Sequence, residues 1–173
     1  MNTITKTILK GVAAGLLASW IKSIAEPSLQ KIGEDYFPPE PGQLELKGAD
    51  VTHRPENMPP AVLAKSVYKE FTHQELSGEH TQQAMTGIHY TLGAVIGVAY
   101  LLALRKKGRI IPAQGLVAGT VIWAATHGSL VPALGLQDKV SEMPASWWVW
   151  EFGSHLVFGV ALEQSRIVLN KVF

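Results

Sequence analysis

Residues 84–104 read AMTGIHYTLGAVIGVAYLLAL, 21 positions without a formal charge. A bilayer core takes about 20 apolar residues per helix. A second run, 110–137, also lacks Asp, Glu, Lys and Arg. Helices of soluble proteins carry a charged face, and neither run has one. Both read as membrane-spanning helices, over 84–104 and 110–134. The second is studded with Pro112, Gln114, His127 and Pro132. Working outward gives two further candidates. The first is 6–26, around GVAAGLLASWI. The other is 146–168, whose opening turn holds Trp147, Trp148 and Trp150. Such a tryptophan cluster suits a membrane–water interface. The rival reading of the N-terminus is a signal peptide cleaved after Ser23-Ile24-Ala25, with Lys6 and Lys10 as its basic region. Lys22 interrupts that apolar run, which disfavours it.

Whole-chain averages conceal this pattern. The 173 residues carry 15 Lys+Arg, 14 Asp+Glu and 6 His, for a net charge of +1. Mean hydropathy is only +0.14. The charges cancel between segments. Lys6 and Lys10, Arg105, Lys106, Lys107 and Arg109, and then Arg166 and Lys171 flank the hydrophobic helices. Segment 27–83 instead holds nine acidic and five basic residues. By the positive-inside rule the basic flanks are cytoplasmic. Both termini then lie inside, and 27–83 faces outward. The expected fold is all-α: one membrane domain over 1–173, a four-helix bundle with a long external segment. Within that segment, Leu63, Val67, Tyr68 and Phe71 recur at helical spacing after Pro59-Pro60. That predicts a short amphipathic helix over about 60–75. Residues 27–60, rich in Pro and charge, read as a loop with extended stretches.

The ionisable residues inside the spans share a depth. At 1.5 Å per residue from the outer helix ends, Lys22 lies about 6 Å down, His89 and Glu151 about 7 Å, His127 about 10 Å and His155 about 13 Å. Glu151 and His155 are four apart and share a helix face, as do Lys22 and Glu26. Tyr100 continues the His89 face inward. Glu163 and Arg166, three apart, form a pair at the inner side. Gly11 and Gly15, Gly93 and Gly97, and Gly115 and Gly119 give three helices small faces for close packing. Polar groups in lipid are costly unless they meet partners in a bundle interior. Each also has a structural reading, as an interhelical hydrogen bond or a snorkelling ion pair.

Three functions stay open at this level. The first is a cluster of His89, His127, His155, Glu151, Lys22 and Glu26 that binds or conducts protons or ions, with Tyr100 extending its path. Imidazoles titrate nearest physiological pH. The second is a divalent-metal site, zinc for example, on His89, His127, Glu151 and His155. The third is an accessory or scaffold subunit with structural histidines, packed against its own copies or a larger membrane complex. The absence of cysteine removes disulfides, thiolate metal sites and cysteine nucleophiles. Near-zero net charge gives no reason to expect nucleic acid as a partner. The basic turn Arg105–Arg109 suits orientation and anionic lipid. Ser154 and His155 are adjacent on a helix and do not face each other. No G-x-S-x-G or H-E-x-x-H pattern is present. A non-enzymatic role is favoured.

Four ordered motifs resemble the YagU family of small bacterial inner-membrane proteins. They are Gly15, Lys22 and Glu26; His89 and Tyr100; Gly115, Gly119, His127, Pro132, Gly135 and Leu136; and Glu151, His155, Glu163 and Arg166. Segment 28–83 departs from that pattern, apart from its Pro-Pro before an amphipathic stretch. The resemblance implies four spans in the bacterial inner membrane, with 27–83 periplasmic, and an association with acid tolerance. It carries no assigned catalytic residues.

Overall fold

A computed structural model describes residues 2–50, 53 and 55–172. Among these the fold is entirely helical. Helix α1 is Thr3–Tyr36, α2 is Pro59–Thr72 and α3 is Gly78–Ala103. Helix α4 runs over Gln114–Ala125, widens into a π turn at Thr126–Leu130 and closes with Val131–Ala133. Helix α5 opens with Ala145–Trp147, widens at Trp148–Phe152 and continues as Gly153–Val172.

Local chemistry accounts for the boundaries. The Asn2 side chain caps α1 by accepting the Thr5 N–H at 2.8 Å. Pro59 opens α2, and His73, at φ 56°, closes it in the left-handed region. Ser77 caps α3. The sequence reading ended the first helix at 26. Instead α1 continues through Pro27 to Tyr36. Its extension is polar and held by pairs four apart: Lys31 donates to Asp35 at 2.7 Å and Gln30 to Glu34 at 3.2 Å. Helix α3 likewise begins earlier than the expected 84, and α4 later than the expected 110.

The long helices pack in the order α3, α1, α5, α4. The outer two, α3 and α4, do not pack along their lengths. Glycine sets the crossings. A Cβ on Gly97 would lie 2.8 Å from the Gly15 Cα, and one on Gly11 2.6 Å from the Val98 Cα, so α1 and α3 meet backbone to backbone. A Cβ on Gly159 would lie 2.6 Å from the Gly119 Cα, and one on Gly115 2.8 Å from the Val160 Cα. Gly93 faces the Ser19 hydroxyl. All six glycines singled out above lie at such crossings.

Helices α1, α3 and the 20-residue stretch Gln114–Ala133 are long and apolar enough to cross a membrane. Helix α5 does not qualify by composition, since it carries Glu151, Glu163 and Arg166. All three of those side chains are buried. Conversely, Leu16, Leu17, Trp20, Val95, Val121 and Val168 are exposed. Charged groups point inward and large apolar groups outward, the reverse of a protein packed for water.

The described residues of segment 37–58 fold over one end of the helices. Ala49 is buried in a cluster with Trp123, Met143, Trp147 and Trp150. The Trp147 indole donates to the Gly48 carbonyl at 3.2 Å. Lys47 N–H donates to the Asp138 carboxylate at 2.7 Å, and Asp138 N–H returns a bond to the Lys47 carbonyl at 3.0 Å.

Candidate functional site

Two widened turns build the site. His127 lies in the π turn of α4 and Glu151 in that of α5. Such turns re-aim side chains and are frequent at functional positions. In α4 the cause is legible. Pro132 has no N–H to offer the Gly128 carbonyl. Hydroxyls take up carbonyls around the widening: Ser129 donates to Ala124 and Ala125 at 2.9 Å each, and Thr126 to Ile122 at 2.8 Å.

His127, Glu151 and His155 each bring a potential ligand atom within 4.8 Å of the others. Glu151 Oε1 is 3.3 Å from His127 Nε2 and 3.1 Å from His155 Nδ1. Glu151 is 2 % exposed, and its Oε1 has no well-aligned hydrogen-bond donor. The His155 Nδ1–H donates to the Glu151 backbone carbonyl at 2.8 Å, which leaves Nε2 as the nitrogen of a neutral His155 able to ligate. Lys22, buried on α1, reaches Glu151 Oε1 at 4.0 Å but pairs directly with Glu26.

Gln137 fixes the tautomer of His127. Its amide NH2 donates to the His127 backbone carbonyl at 3.3 Å, so its carbonyl oxygen faces His127 Nδ1 at 2.8 Å. Nδ1 must then carry the proton. A neutral His127 therefore points the bare lone pair of Nε2 at a carboxylate oxygen. Those two lone pairs repel unless a cation or a proton lies between them. The charge count agrees: two carboxylates, Glu26 and Glu151, share one ammonium, Lys22.

His89 stands apart from this group. Its Nε2–H donates to the Ser19 carbonyl at 3.3 Å, and its ring lies edge-on to Tyr90. It lines, from α3, a cavity of about 150 Å³ that His127, His155 and Lys22 line from the other helices. Pro59, Pro60 and Leu63 of α2 also border this cavity. Tyr100 belongs to a second network at the opposite end. Its hydroxyl donates to Glu163 Oε2 at 2.8 Å and accepts from the Gln114 amide at 3.2 Å. Arg166 donates two bonds to Glu163, at 2.7 and 2.8 Å. That network is satisfied and clamps α3, α4 and α5 together.

Sequence reasoning did not single out Gln137, Gln114 as a clamp, or Gly48. Gly48 has φ +82°, and a Cβ there would lie 2.8 Å from Gln137 Cγ. The available signal was a glutamine closing an otherwise uncharged run.

These features define an all-helical protein with several apolar helices and an ionic interior, compatible with a membrane protein. The chain belongs to the family described as Protein of unknown function (DUF1440), whose profile matches residues 28–164. The match includes segment 28–83, which the YagU resemblance left outside its pattern, and stops short of Gly15, Lys22 and Glu26. No curated protein and no solved structure matches the chain.

Proposed function

We propose that this chain is a four-span protein of the bacterial inner membrane that binds a divalent metal ion on His127, Glu151 and His155. The supporting observation is Glu151 Oε1, buried without a well-aligned hydrogen-bond donor and lying 3.3 Å from His127 Nε2 and 3.1 Å from His155 Nδ1. Imidazole and carboxylate suit zinc and other borderline divalent ions. The fourth span is α5, whose ionisable residues turn inward where lipid does not reach them. The basic flanks, by the positive-inside rule, support both termini in the cytoplasm and 27–83 in the periplasm. The site then opens toward the periplasmic half of the membrane. Acid tolerance fits a site whose ligands are imidazoles, because protons and metal compete for the same lone pairs.

Elemental analysis of the purified protein tests this reading. One divalent ion per chain is expected, lost in Glu151→Gln with helix content retained. Metal-free protein in proteoliposomes whose proton flux vanishes when His127 and His155 become Ala would make the cluster a proton site instead. No metal and no flux would leave the histidines as structural members of an accessory subunit.

A further inference from the structure

We propose that the cavity beside His127 and His155 is a binding site for a small monoanion, of carboxylate size, that completes the coordination of the metal. The inference rests on the metal reading above and names what else the site takes.

Three protein ligands leave a four-coordinate zinc-type ion with one open position, the arrangement of catalytic rather than structural sites. The cavity tells where that position points. His127 and His155 both line it, whereas Glu151 does not. The two histidines that would hold the metal thus border the cavity, so a further ligand would reach it from that side. That space is about 150 Å³. An apolar cavity of about 150 Å³ accepts a molecule the size of benzene, so a metal-bound ligand of a few non-hydrogen atoms fits.

The lining selects charge. Its ionisable members are Lys22, His89, His127 and His155, with no Asp or Glu among them. Every other lining residue is neutral, and most are apolar: Leu63, Ile88, Ile96 and Phe158 among them. Adding a divalent ion to Lys22, Glu26 and Glu151 leaves one uncompensated positive charge with neutral imidazoles. Such a charge is expensive in a low-dielectric interior. A monoanion cancels it, and Lys22 supplies further attraction from the wall. A dianion would overshoot, and a cation would meet only repulsion.

The test uses full-length protein in detergent, loaded with Co²⁺ as a spectroscopic stand-in for zinc. Cobalt binding at one per chain is read first, from its visible absorption. Sodium azide and sodium acetate are then titrated separately. The expected result is a saturable shift of the cobalt bands with each anion. Ile96→Phe, which fills the cavity without touching a ligand, should keep cobalt stoichiometry. It should weaken azide by at least roughly tenfold, the scale of one misfitted group in a tight pocket. Leu63→Phe, which lines the cavity from α2, provides a second blocking variant. Cobalt bound at one per chain with bands that neither anion moves would overturn the inference and leave the metal site standing. Azide binding equally well to wild type and to both blocking variants would overturn it too, because the anion would then reach the metal by another side. Failure to bind cobalt would remove the metal reading itself.

Discussion

Glu163→Ala is the sharpest test of how this interior is held together. Glu163 is 0 % exposed and Arg166 is 4 % exposed. The carboxylate accepts from Arg166 at 2.7 and 2.8 Å and from the Tyr100 hydroxyl at 2.8 Å. Truncation leaves a buried guanidinium with no carboxylate, facing only neutral oxygens: the Lys107 carbonyl at 3.4 Å and the Tyr100 hydroxyl. Removing one partner of a buried pair costs about 3–5 kcal/mol, mostly from the charge left behind. Interhelical hydrogen bonds in membranes contribute far less, about 0.6 kcal/mol on average, so losing the Tyr100 bond is a minor part. The charge origin predicts a strongly non-additive cycle. Arg166→Met alone leaves Glu163 still bonded to Tyr100 and costs less than Glu163→Ala. The double variant Glu163→Ala/Arg166→Met removes both charges and recovers more than half of the Glu163→Ala loss. The assay is SDS-driven unfolding in mixed micelles, followed by circular dichroism. A Glu163→Ala loss below about 1 kcal/mol, the range of exposed pairs, would refute the reasoning. So would a double variant no better than the single.

Further outcomes concern the His127–Glu151–His155 cluster and the crossings. Gln137→Ala frees the His127 ring and should weaken metal binding about 10–100-fold, the usual cost of losing a ligand's supporting bond, read by competition with a chelator of known affinity. His89→Ala should leave metal stoichiometry unchanged, since its ring is engaged with Ser19. Metal affinity should fall as pH drops and recover as it rises, because each imidazole must be deprotonated to ligate; a pH series of the same competition checks the sign. Gly159→Val places a Cβ against the Gly119 backbone. It should lower both unfolding stability and metal affinity, because the displaced α4–α5 crossing carries His127 and His155 on its two sides.

The helices were legible from 84–104 and 110–137 because uncharged runs of that length match the length and charge rules of a bilayer span, which a single sequence displays. The small faces were legible for the same kind of reason: Gly-xxx-Gly spacing survives in the chain, and the crossings fall on it. Depth counting put Lys22, His127, Glu151 and His155 in one band, and those four do lie together. It could not separate His89 from them, because depth says nothing of rotation about a helix axis. Nor could it foresee that Tyr100 turns to Glu163. The π turns at Thr126–Leu130 and Trp148–Phe152 were the largest omission. Each widening rotates everything downstream relative to a regular helix. Segment 37–58 was opaque for another reason. Its apolar residues Leu46 and Met58 pack on a cluster that includes Trp123, Met143, Trp147 and Trp150, contacts far away in sequence.

That segment has a consequence for the site. Gly48 binds the Trp147 indole through its carbonyl, and its bare Cα faces the Gln137 side chain. Gln137 in turn holds His127. The Trp147 ring also packs near His127, with centroids 6.3 Å apart. One glycine of segment 37–58 thus abuts both supports of a half-buried imidazole. Only glycine combines a φ of +82° with that closeness. Gly48→Ala adds strain at the backbone and a methyl group against Gln137. Its effect should therefore appear at His127 before it appears in global stability. The measurement is metal affinity beside unfolding in the same preparation. A several-fold loss of affinity with near-normal unfolding would place segment 37–58 in the support of the site. Equal losses in both would make it a plain structural cover.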